Sequence, residues 1–449
     1  MSDRRRPRLP PGPYLVVGLA RSGSAAALVL RARGEEVMGW DAASGDSDPE
    51  LAAAARRLCE AGVEVTLNAS GDLTSVRPGT VIKSPGVPQD APVIQAARAR
   101  GIPILGELEL AWRLLVNEFV AVTGTNGKTT TTEWIGHIHR QAGLPVAVAG
   151  NVGTAVSSLI DELAADATVI CEVSSFQLED TAAFAPEVSV LLNLEPDHLD
   201  RHGTFADYVA AKLKIFANQG NHDVAVAPLD LVRRDLGGCA RRVWFGTGPE
   251  AELADRAGYL WWDEEPVVAV KDISLPGLHN RQNAMAAAAA SLARGIEPGP
   301  VAEGLRSFGG VAHRLEPIAV LDGVQWVNDS KATNVASTLV ALSAYAGGIH
   351  LIAGGRGKGQ DFTPLAAPVS QRCRAVYLVG EAAPELHAAL AATEVPLRDA
   401  RDLERAVAAA HAAARAGEVV LLSPACASYD QYRDFEARGD HFRALVEQM

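Results

Sequence analysis

The sequence predicts an α/β protein built from three doubly wound sheets, and three observations support this fold class. Short apolar runs that suit buried strands alternate with longer stretches that suit helices along the whole chain. One apolar run, at 119–122, passes into a Gly-containing loop and then a helix, which is the order that a phosphate-binding loop requires. The chain has 449 residues, enough for two to four domains.

The composition is that of an ordinary globular protein, with 48% hydrophobic and 21% charged residues. The net charge of −13 argues against a protein that binds nucleic acids or membrane surfaces. The five cysteines are scattered and never spaced as CxxC, which argues against a disulfide framework or a zinc cluster. No apolar run approaches the ~20 residues of a membrane helix. We therefore expect a cytoplasmic protein without nucleic-acid or membrane partners.

The first residues, MSDRRRPRLPPGP, are basic and rich in proline. No apolar segment follows them, so they do not form a signal peptide. We expect a disordered lead-in.

The first predicted domain, 1–106, opens with a strand at 14–18, a helix and a second strand at 36–41. This is a Rossmann-like arrangement, and Asp41 lies where an acidic side chain can bind ribose hydroxyls. Ala20 occupies the position of the glycine that lets the backbone approach a pyrophosphate. NAD binding, binding of another nucleotide, and plain packing of strand against helix therefore all stay open. A further strand, at 80–88, contains a Ser-Pro-Gly turn that either is simply a turn or presents backbone donors to a ligand.

The second predicted domain, 107–311, carries the loop TGTNGKTT at 123–130. Its glycines let backbone N–H groups turn towards an anion, and the following helix adds its positive N-terminal end. Lys128 is expected to reach the outer phosphates of ATP, and the Thr129 hydroxyl to help hold Mg²⁺. Val122 replaces the first glycine of the full pattern, so this is a shortened form of the loop. A Gly-rich turn without a ligand is the alternative, but strand, loop and helix together favour ATP.

Polar groups also follow two other predicted strands of this domain. Glu172 lies in the strand at 167–173, and His198 follows the strand at 188–193. Ligands of open α/β sheets bind beyond the carboxyl ends of the strands, so three such ends together predict a nucleotide and cation site. Lys212 and Lys214 share a predicted helix at 208–217, and their spacing does not distinguish them.

The third predicted domain, 312–449, alternates strands and helices again, which predicts a third doubly wound sheet. Its strands are expected at 316–321, 324–327, 349–353, 375–380 and 419–422. The Gly-rich loop around Lys358 lacks a Ser or Thr after the lysine, so an anion-binding or substrate loop is favoured over a second phosphate cradle. Cys426 has no base in its sequence surroundings, and a small buried residue is favoured over a nucleophile.

Seven motifs occur in a fixed order: GTNGKTTT, EVSSFQLE, DHLDR, GLHNRQN, HR, NDSKATN and SPACASYDQYRDF. With these motifs the whole chain resembles the Mur ligases of peptidoglycan synthesis, and SSFQLE, NDSKATN and SPACAS are most similar to the glutamate-adding member. The resemblance implies a monomeric, cytoplasmic, ATP-dependent amide ligase that joins glutamate to UDP-N-acetylmuramoyl-L-alanine through an acyl phosphate. It also implies that the third domain closes during the reaction. The GLARSG loop departs from the more Gly-rich family form.

The resemblance further implies roles for individual residues. The ATP site comprises Gly124, Thr125, Asn126, Gly127, Lys128, Thr129, Thr130, His279, Asn283, Arg314, Asp329 and Lys331. Two Mg²⁺ ions are expected, one at Thr129 and Glu172 and one at His198 and Lys212, with Lys212 carbamylated by CO₂ so that it offers oxygen ligands. Lys128, His198, Lys212 and Lys331 are the expected catalytic residues. The UDP-linked substrate is assigned Arg21, Ser22, Asp41, Ser84, Gly86 and Asn151, and glutamate is assigned Thr333, Lys358, Ser428 and Phe435.

Three alternative functions stay open at this point. A related ligase adds L-glutamate, and no residue distinguishes the two enantiomers from first principles. An NAD-dependent oxidoreductase would use the Rossmann-like opening but leave the phosphate loop, Glu172 and His198 without a role. A regulatory nucleotide-binding module would be expected to have lost its metal-binding residues, whereas Glu172, His198 and Lys212 are all present.

Overall fold

The computed structural model describes residues 6–45, 48–151, 153–357 and 359–449. Contacts between residues divide the chain into two compact units, Met1–Phe308 and Gly309–Met449. The predicted α/β class with three largely parallel sheets is confirmed. The predicted three-domain boundaries, at 106 and 311, stay predictions.

The first sheet begins the chain and is parallel throughout its described strands. The strand order is β3-β2-β1-β4-β5. Its strands are β1 (Tyr14–Val17), β2 (Val37–Trp40), β3 (Glu64–Thr66), β4 (Thr80–Lys83) and β5 (Ile104–Gly106), and its helices are α1 (Arg21–Ala32), α2 (Pro49–Glu60) and α3 (Pro92–Ala99). Val17 of β1 pairs with both Trp40 and Lys83. The residues that follow these strands therefore meet at one edge of the sheet.

The second sheet of the same unit has nine strands among the described residues, in the order β14-β13-β12-β11-β10-β9-β6-β8-β7. They are β6 (Phe119–Thr123), β7 (Val146–Gly150), β8 (Thr168–Glu172), β9 (Val188–Leu191), β10 (Val224–Pro228), β11 (Arg241–Gly246), β12 (Leu253–Arg256), β13 (Tyr259–Trp262) and β14 (Glu265–Ala269). The last two pairs, β12–β13 and β13–β14, are antiparallel.

The helices around this sheet are α4 (Glu107–Leu114), α5 (Lys128–Gln141), α6 (Ser175–Glu179), α7 (Leu199–His202), α8 (Phe205–Ala217), α9 (Leu278–Ala293) and α10 (Pro298–Ser307). Central β6 is buried along its length, as expected for a parallel strand covered on both faces. It pairs with β8 at Val122↔Glu172 and with β9 at Thr123↔Leu191. This register brings the ends of the three strands to one edge of the sheet.

The second unit contains the third sheet, in the order β15-β16-β20-β17-β18-β19. Its strands are β15 (Glu316–Leu321), β16 (Val324–Asn328), β17 (Ile349–Gly354), β18 (Cys373–Val379), β19 (Leu397–Arg401) and β20 (Val419–Leu422). Its helices are α11 (Val335–Ser343), α12 (Ala366–Arg372), α13 (Ala383–Leu390), α14 (Leu403–Ala413) and α15 (Phe435–Glu447). Within the described strands of this sheet, only the edge pair β15–β16 is antiparallel.

Short 3₁₀ helices lie at Val156–Leu159, Leu229–Leu231, Val270–Asp272, Thr363–Leu365 and Ala391–Thr393. Among the described residues, no helix is both long enough and apolar enough to cross a membrane.

The expected disorder of the lead-in is wrong for residues 6–13. Arg6 donates hydrogen bonds to the carbonyl oxygens of Trp112, Leu115 and Asn117. Its guanidinium also lies 5.0 Å from the centre of the Trp112 ring. The last carbonyls of a helix have no partner within the helix, so an arginine at the end of α4 satisfies them. A cationic, Pro-rich segment thus becomes ordered through partners that lie far along the chain.

Candidate active site

The phosphate loop between β6 and α5 has a backbone that requires glycine at two positions. Gly124 has a φ of +156° and Gly127 a φ of +82°. A Cβ on Gly127 would lie only 2.2 Å from the side-chain oxygen of Asn283 in α9. Asn283 therefore lies directly against the loop. Gly127 is also the N-cap of α5, so this helix directs the N–H groups of its first turn into the loop.

The loop is held in place by Asn193, which follows β9. Its side-chain oxygen accepts hydrogen bonds from the backbone N–H groups of Thr125, at 3.0 Å, and Asn126, at 2.8 Å. The Thr125 hydroxyl donates to the carbonyl oxygen of Glu195 and accepts from the Tyr208 hydroxyl. Asn193 ends the predicted strand at 188–193, and no role was predicted for it. Its position directly after an apolar strand is the signal that could have identified it.

Two lysines converge on the same loop. Nζ of Lys128 donates to the carbonyl oxygens of Gly124, at 3.0 Å, and Thr125, at 2.8 Å. Nζ of Lys212 donates to the Gly124 oxygen at 2.7 Å, and Lys212 is only 2% exposed. Burial and the Lys128 charge lower the pKa of Lys212 to about 7, against an opposing effect of Asp197. Near pH 7, part of the Lys212 population therefore carries a neutral amine. Lys214, by contrast, is exposed and donates to the carbonyl oxygen of Glu179, away from the loop.

Glu172 ends β8 beside the loop and is 3% exposed. Its Oε1 accepts a hydrogen bond from Nδ2 of Asn151 at 3.0 Å. Its Oε2 is buried and has no hydrogen-bond partner among the residues described. A buried carboxylate oxygen without a donor is costly, and a cation would satisfy it. Thr129, the other expected ligand, is buried in the first turn of α5.

His198 precedes the short helix α7 and is only loosely held. Its φ is +51°, and its side chain is 51% exposed. Nε2 lies 3.5 Å from the Asp197 carboxylate, and the ring centre lies 5.0 Å from that of Phe176. No group of three or more His, Cys, Asp or Glu side chains in the described chain is arranged to hold a metal. A cation here would therefore take most of its ligands from substrate and water, as Mg²⁺ commonly does.

A cavity of about 640 Å³ lies at the carboxyl edge of the first sheet. The structure brings together there all six residues that were predicted for the UDP-linked substrate: Arg21, Ser22, Asp41, Ser84, Gly86 and Asn151. The first turn of α1 opens into it, which provides backbone donors for an anion. Gln177 also lines the cavity and was not predicted. Asn151 contributes to the cavity lining and contacts Glu172, so it links the cavity to the phosphate-loop edge of the second sheet.

Two polar groups of this cavity already have backbone partners. The Asp41 carboxylate accepts from the backbone N–H of Leu19 at 2.7 Å and of Ala43 at 2.9 Å. The Ser84 hydroxyl donates to the carbonyl oxygen of Gly18 at 2.6 Å. These bonds orient both side chains. A carboxylate has about four acceptor sites, so Asp41 keeps capacity for ligand hydroxyls.

Two further members of the predicted ATP set in the first unit lie one helical turn apart. His279 is exposed and Asn283 is buried, both on α9. Residues four apart share one face of a helix, so both side chains lie on the face that Asn283 presents to Gly127.

In the second unit, Asp329 follows β16 and is 5% exposed. Its carboxylate accepts from the Ser423 hydroxyl at 2.8 Å and from the Leu315 backbone N–H at 3.1 Å. Burial raises the pKa of Asp329 to about 7, although these bonds and the charge of Arg314 oppose it. Lys331 donates its backbone N–H to the His313 carbonyl oxygen, which joins the HR and NDSKATN segments.

The predicted glutamate residues of this unit lie on neighbouring segments. Arg438, which is buried, donates to the Ser330 hydroxyl and to the Cys426 carbonyl oxygen. The Ser330 hydroxyl donates to the Phe435 carbonyl oxygen. These bonds bring together the segments that carry Thr333, Ser428 and Phe435. Cys426 is fully buried, as expected, and Lys358 lies outside the described residues.

Family models match two parts of the chain. The Mur ligase middle domain matches residues 122–291, and the Mur ligase glutamate ligase domain matches residues 313–426. UDP-N-acetylmuramoylalanine–D-glutamate ligase from Acidobacterium capsulatum is 42% identical, over 96% of this chain and 95% of its own. The protein of the same name from Pelotomaculum thermopropionicum is 41% identical, over 96% of each chain.

Solved structures show the same fold. UDP-N-acetylmuramate-alanine ligase MurC from Thermotoga maritima aligns with a TM-score of 0.56 at 20% identity, over 97% of this chain and 99% of its own. MurF ligase from Thermotoga maritima, solved in complex with ADP, aligns with a TM-score of 0.52 at 19% identity, over 82% of this chain and 89% of its own.

Proposed function

This chain belongs to the Mur ligase family, and on that premise we propose that it joins D-glutamate to UDP-N-acetylmuramoyl-L-alanine in an ATP-dependent reaction. The observation that carries the proposal is the match along nearly the whole chain, at 40–42% identity, to relatives that bear the name of this D-glutamate ligase. Their name also favours D-glutamate over L-glutamate, which the sequence had left open.

The phosphate loop supports an ATP site. Its inward N–H groups and the N-terminus of α5 suit the β- and γ-phosphates, because both direct partial positive charge at one place. The ammonium group of Lys128 currently bonds two loop carbonyls and would exchange them for phosphate oxygens. Asn283 and His279 would contact the adenine, with Arg314, Asp329 and Lys331 supplied by the second unit.

The lone Oε2 of Glu172 supports a Mg²⁺ ion beside Thr129. A second ion would use His198 and a carbamylated Lys212. Burial lowers the pKa of Lys212 to about 7, which increases the fraction of neutral amine that can react with CO₂. Bound Mg²⁺ would neutralise charge on the transferring phosphoryl group. Carbamylation, two ions, a monomeric state, a cytoplasmic location and closure of the third domain all belong to the proposal.

The cavity of the first sheet suits the UDP-linked substrate. Its helix terminus, Arg21 and Ser22 provide donors for a diphosphate, and Asp41 provides acceptors for hydroxyls. The alanyl carboxylate would then extend past Asn151 towards the phosphate loop. In the second unit, Thr333, Ser428 and Lys358 would provide donors for the two carboxylates of glutamate.

The proposed reaction has two steps. An oxygen of the alanyl carboxylate attacks the γ-phosphorus of ATP, the bond to the bridging oxygen breaks, and ADP leaves. The neutral amine of glutamate then attacks the carbonyl carbon of the acyl phosphate, the carbon–oxygen bond to phosphate breaks to release inorganic phosphate, and the nitrogen passes one proton to water. The residues contribute mainly by positioning the reactants and by stabilising charge. Lys128 does so at the transferred phosphoryl group, and Lys331 is the expected cation from the second unit.

Phosphate release tests the proposal. It should require ATP, UDP-N-acetylmuramoyl-L-alanine and D-glutamate together, and fall to background when any one is omitted. Dependence on L-glutamate instead would keep the reaction class and change the amino acid. No stimulation by either enantiomer would contradict the ligase assignment, and NAD-dependent activity would then be tested.

A matched variant tests the metal part separately. Glu172→Gln keeps an oxygen for the Asn151 bond and removes the negative charge. Affinity for Mn²⁺, measured by electron paramagnetic resonance as a substitute for Mg²⁺, should fall about 10–100-fold. Glu162→Gln, an exposed change of the same charge, is the control. Equal Mn²⁺ affinity in both variants would remove Glu172 from the metal site.

A further inference from the structure

Arg201 belongs to the DHLDR motif, and no role has been assigned to it so far. It lies in α7, the short helix that follows His198. Its Nη2 donates to the carbonyl oxygen of Pro85 at 2.8 Å and to that of Val87 at 3.1 Å. These two residues flank Gly86 in the loop after β4, and all three line the cavity of the first sheet. One guanidinium thus joins the helix after His198 to the cavity wall.

The same guanidinium packs on an aromatic ring that reaches the phosphate-loop side. Its Cζ lies 3.9 Å from the centre of the Phe176 ring. The Phe176 ring centre is also 5.0 Å from that of His198 and 5.2 Å from that of His202, which stacks on it at an interplanar angle of 11°. Phe176 lies in α6, shortly after Glu172. The Phe176 ring and the Arg201 guanidinium therefore form one contact unit with His202 in α7 and with His198, the N-cap of α7.

The His198 ring contacts this unit through Phe176. Its side chain is half exposed, its ring Nε2 lies 3.5 Å from the Asp197 carboxylate, and its left-handed backbone donates an N–H to the same carboxylate at 2.9 Å. The helix that follows it has just four residues. A helix this short has little stability of its own, so its place is set by what its side chains contact. His202 is held by the Ser175 hydroxyl and the Glu179 carboxylate, and Arg201 by the cavity loop.

We propose that Arg201 is a positioning residue that couples occupancy of the first-sheet cavity to the placement of His198. A ligand in the cavity orders the loop at Pro85–Val87, the ordered carbonyls hold the guanidinium, and the guanidinium holds α7 and its N-cap. Such coupling is reciprocal in binding free energy, so ordering α7 also favours the ligand. This inference rests on the proposed function for the identity of the cavity ligand.

Hydrogen exchange tests the coupling without turnover. UDP-N-acetylmuramoyl-L-alanine alone, without ATP or Mg²⁺, should slow exchange at 80–88 and also at 201–203, whose amides bond to His198 and Leu199 within α7. In Arg201→Met the slowing at 80–88 should persist and that at 201–203 should be lost. Arg201→Lys, which keeps the charge but lacks the planar fork, should give an intermediate result.

Arg98→Met is the matched control. Arg98 also donates to a carbonyl of the neighbouring segment, Gln89 at 3.0 Å, but it lies in α3 and has no part in the Phe176 contacts described. The ligation kcat should fall about 10–100-fold in Arg201→Met, the range for residues that orient a metal-site ligand, and stay within twofold in Arg98→Met. The KM for ATP should stay within twofold in both variants.

The outcomes separate this inference from the proposed function. No slowing at 80–88 in the unaltered protein would contradict the proposed substrate. Slowing at 80–88 without any slowing at 201–203 would overturn the coupling and leave the proposed function intact. Equal kcat in Arg201→Met and Arg98→Met would overturn it as well. If Arg201→Met does not fold, Arg201→Lys carries the same comparison.

Discussion

Asp329→Asn should stabilise the second unit at alkaline pH, because the buried carboxylate costs that unit free energy. The folded-state pKa is about 7, raised by burial above the unfolded value of ~3.9. Below pH ~4 the group is protonated in both states and has no effect. Between pH ~4 and ~7 only the unfolded state loses its proton, so stability falls as pH rises. Above ~7 the loss is complete and constant.

The size of the effect follows from the difference of about three pKa units. At ~1.36 kcal/mol per unit this is an upper bound of about 4 kcal/mol. The asparagine oxygen can accept from the Leu315 N–H, and the Ser423 hydroxyl can rotate to accept from the new amide. Imperfect replacement of one hydrogen bond costs about 1–2 kcal/mol. We therefore expect a net gain of about 2–3 kcal/mol at pH 8, and a change near zero or slightly unfavourable at pH 4.

Urea-dependent hydrogen exchange, read by mass spectrometry in peptides that cover β16 and β20, measures this unit separately. Asp322→Asn makes the same charge change at an exposed turn with a φ of +49°, which asparagine tolerates, and it should change stability little at either pH. An equal gain at both pH values, or no gain at pH 8, would refute the account of Asp329 as a destabilising buried carboxylate. Ligation activity should fall even as stability rises, since the group is expected at the ATP site.

Three further predictions follow from the first unit. Gly127→Ala places a Cβ 2.2 Å from the side-chain oxygen of Asn283 in α9, at a φ of +82°. The resulting strain of ~1–2 kcal/mol should raise the Kd for ATP about tenfold, as measured by calorimetry. An unchanged Kd would contradict this account of the loop. Lys83→Met leaves the Asp180 carboxylate without the ammonium that lies 2.6 Å away in the interior, so urea unfolding should show a loss of about 3–5 kcal/mol, largely regained when Asp180→Leu is added. The Lys212 pKa is about 7, and CO₂ reacts with the neutral amine. The carbamate signal in NMR spectra recorded with ¹³CO₂ should therefore grow as the pH rises through about 7. This signal should vanish in Lys212→Arg and persist in Lys214→Arg.

Much of the fold was predictable because it depends on local patterns. Buried parallel strands read as continuous apolar runs, so the predicted strands at 119–122, 349–353 and 419–422 correspond to β6, β17 and β20. Helix starts were less accurate. The phosphate loop was predicted to extend to residue 130, whereas the helix after it begins at Lys128, since Gly127 with its positive φ ends the loop there. The cationic lead-in was misjudged, because its ordering depends on carbonyls at the end of α4.

The sequence by itself determined the family and which strand ends carry polar groups, since both depend on residue order and apolar runs. It could not determine which side chains meet, because that follows from strand order and register. Only the tertiary structure separated Lys212, buried against the Gly124 carbonyl, from exposed Lys214 on the same helix. It likewise decided that Glu172 keeps one oxygen without a donor among the described residues and that Arg201 reaches the loop around Gly86. Desolvation and contacts between distant segments arise only on folding, and they set the charge state and position of each group.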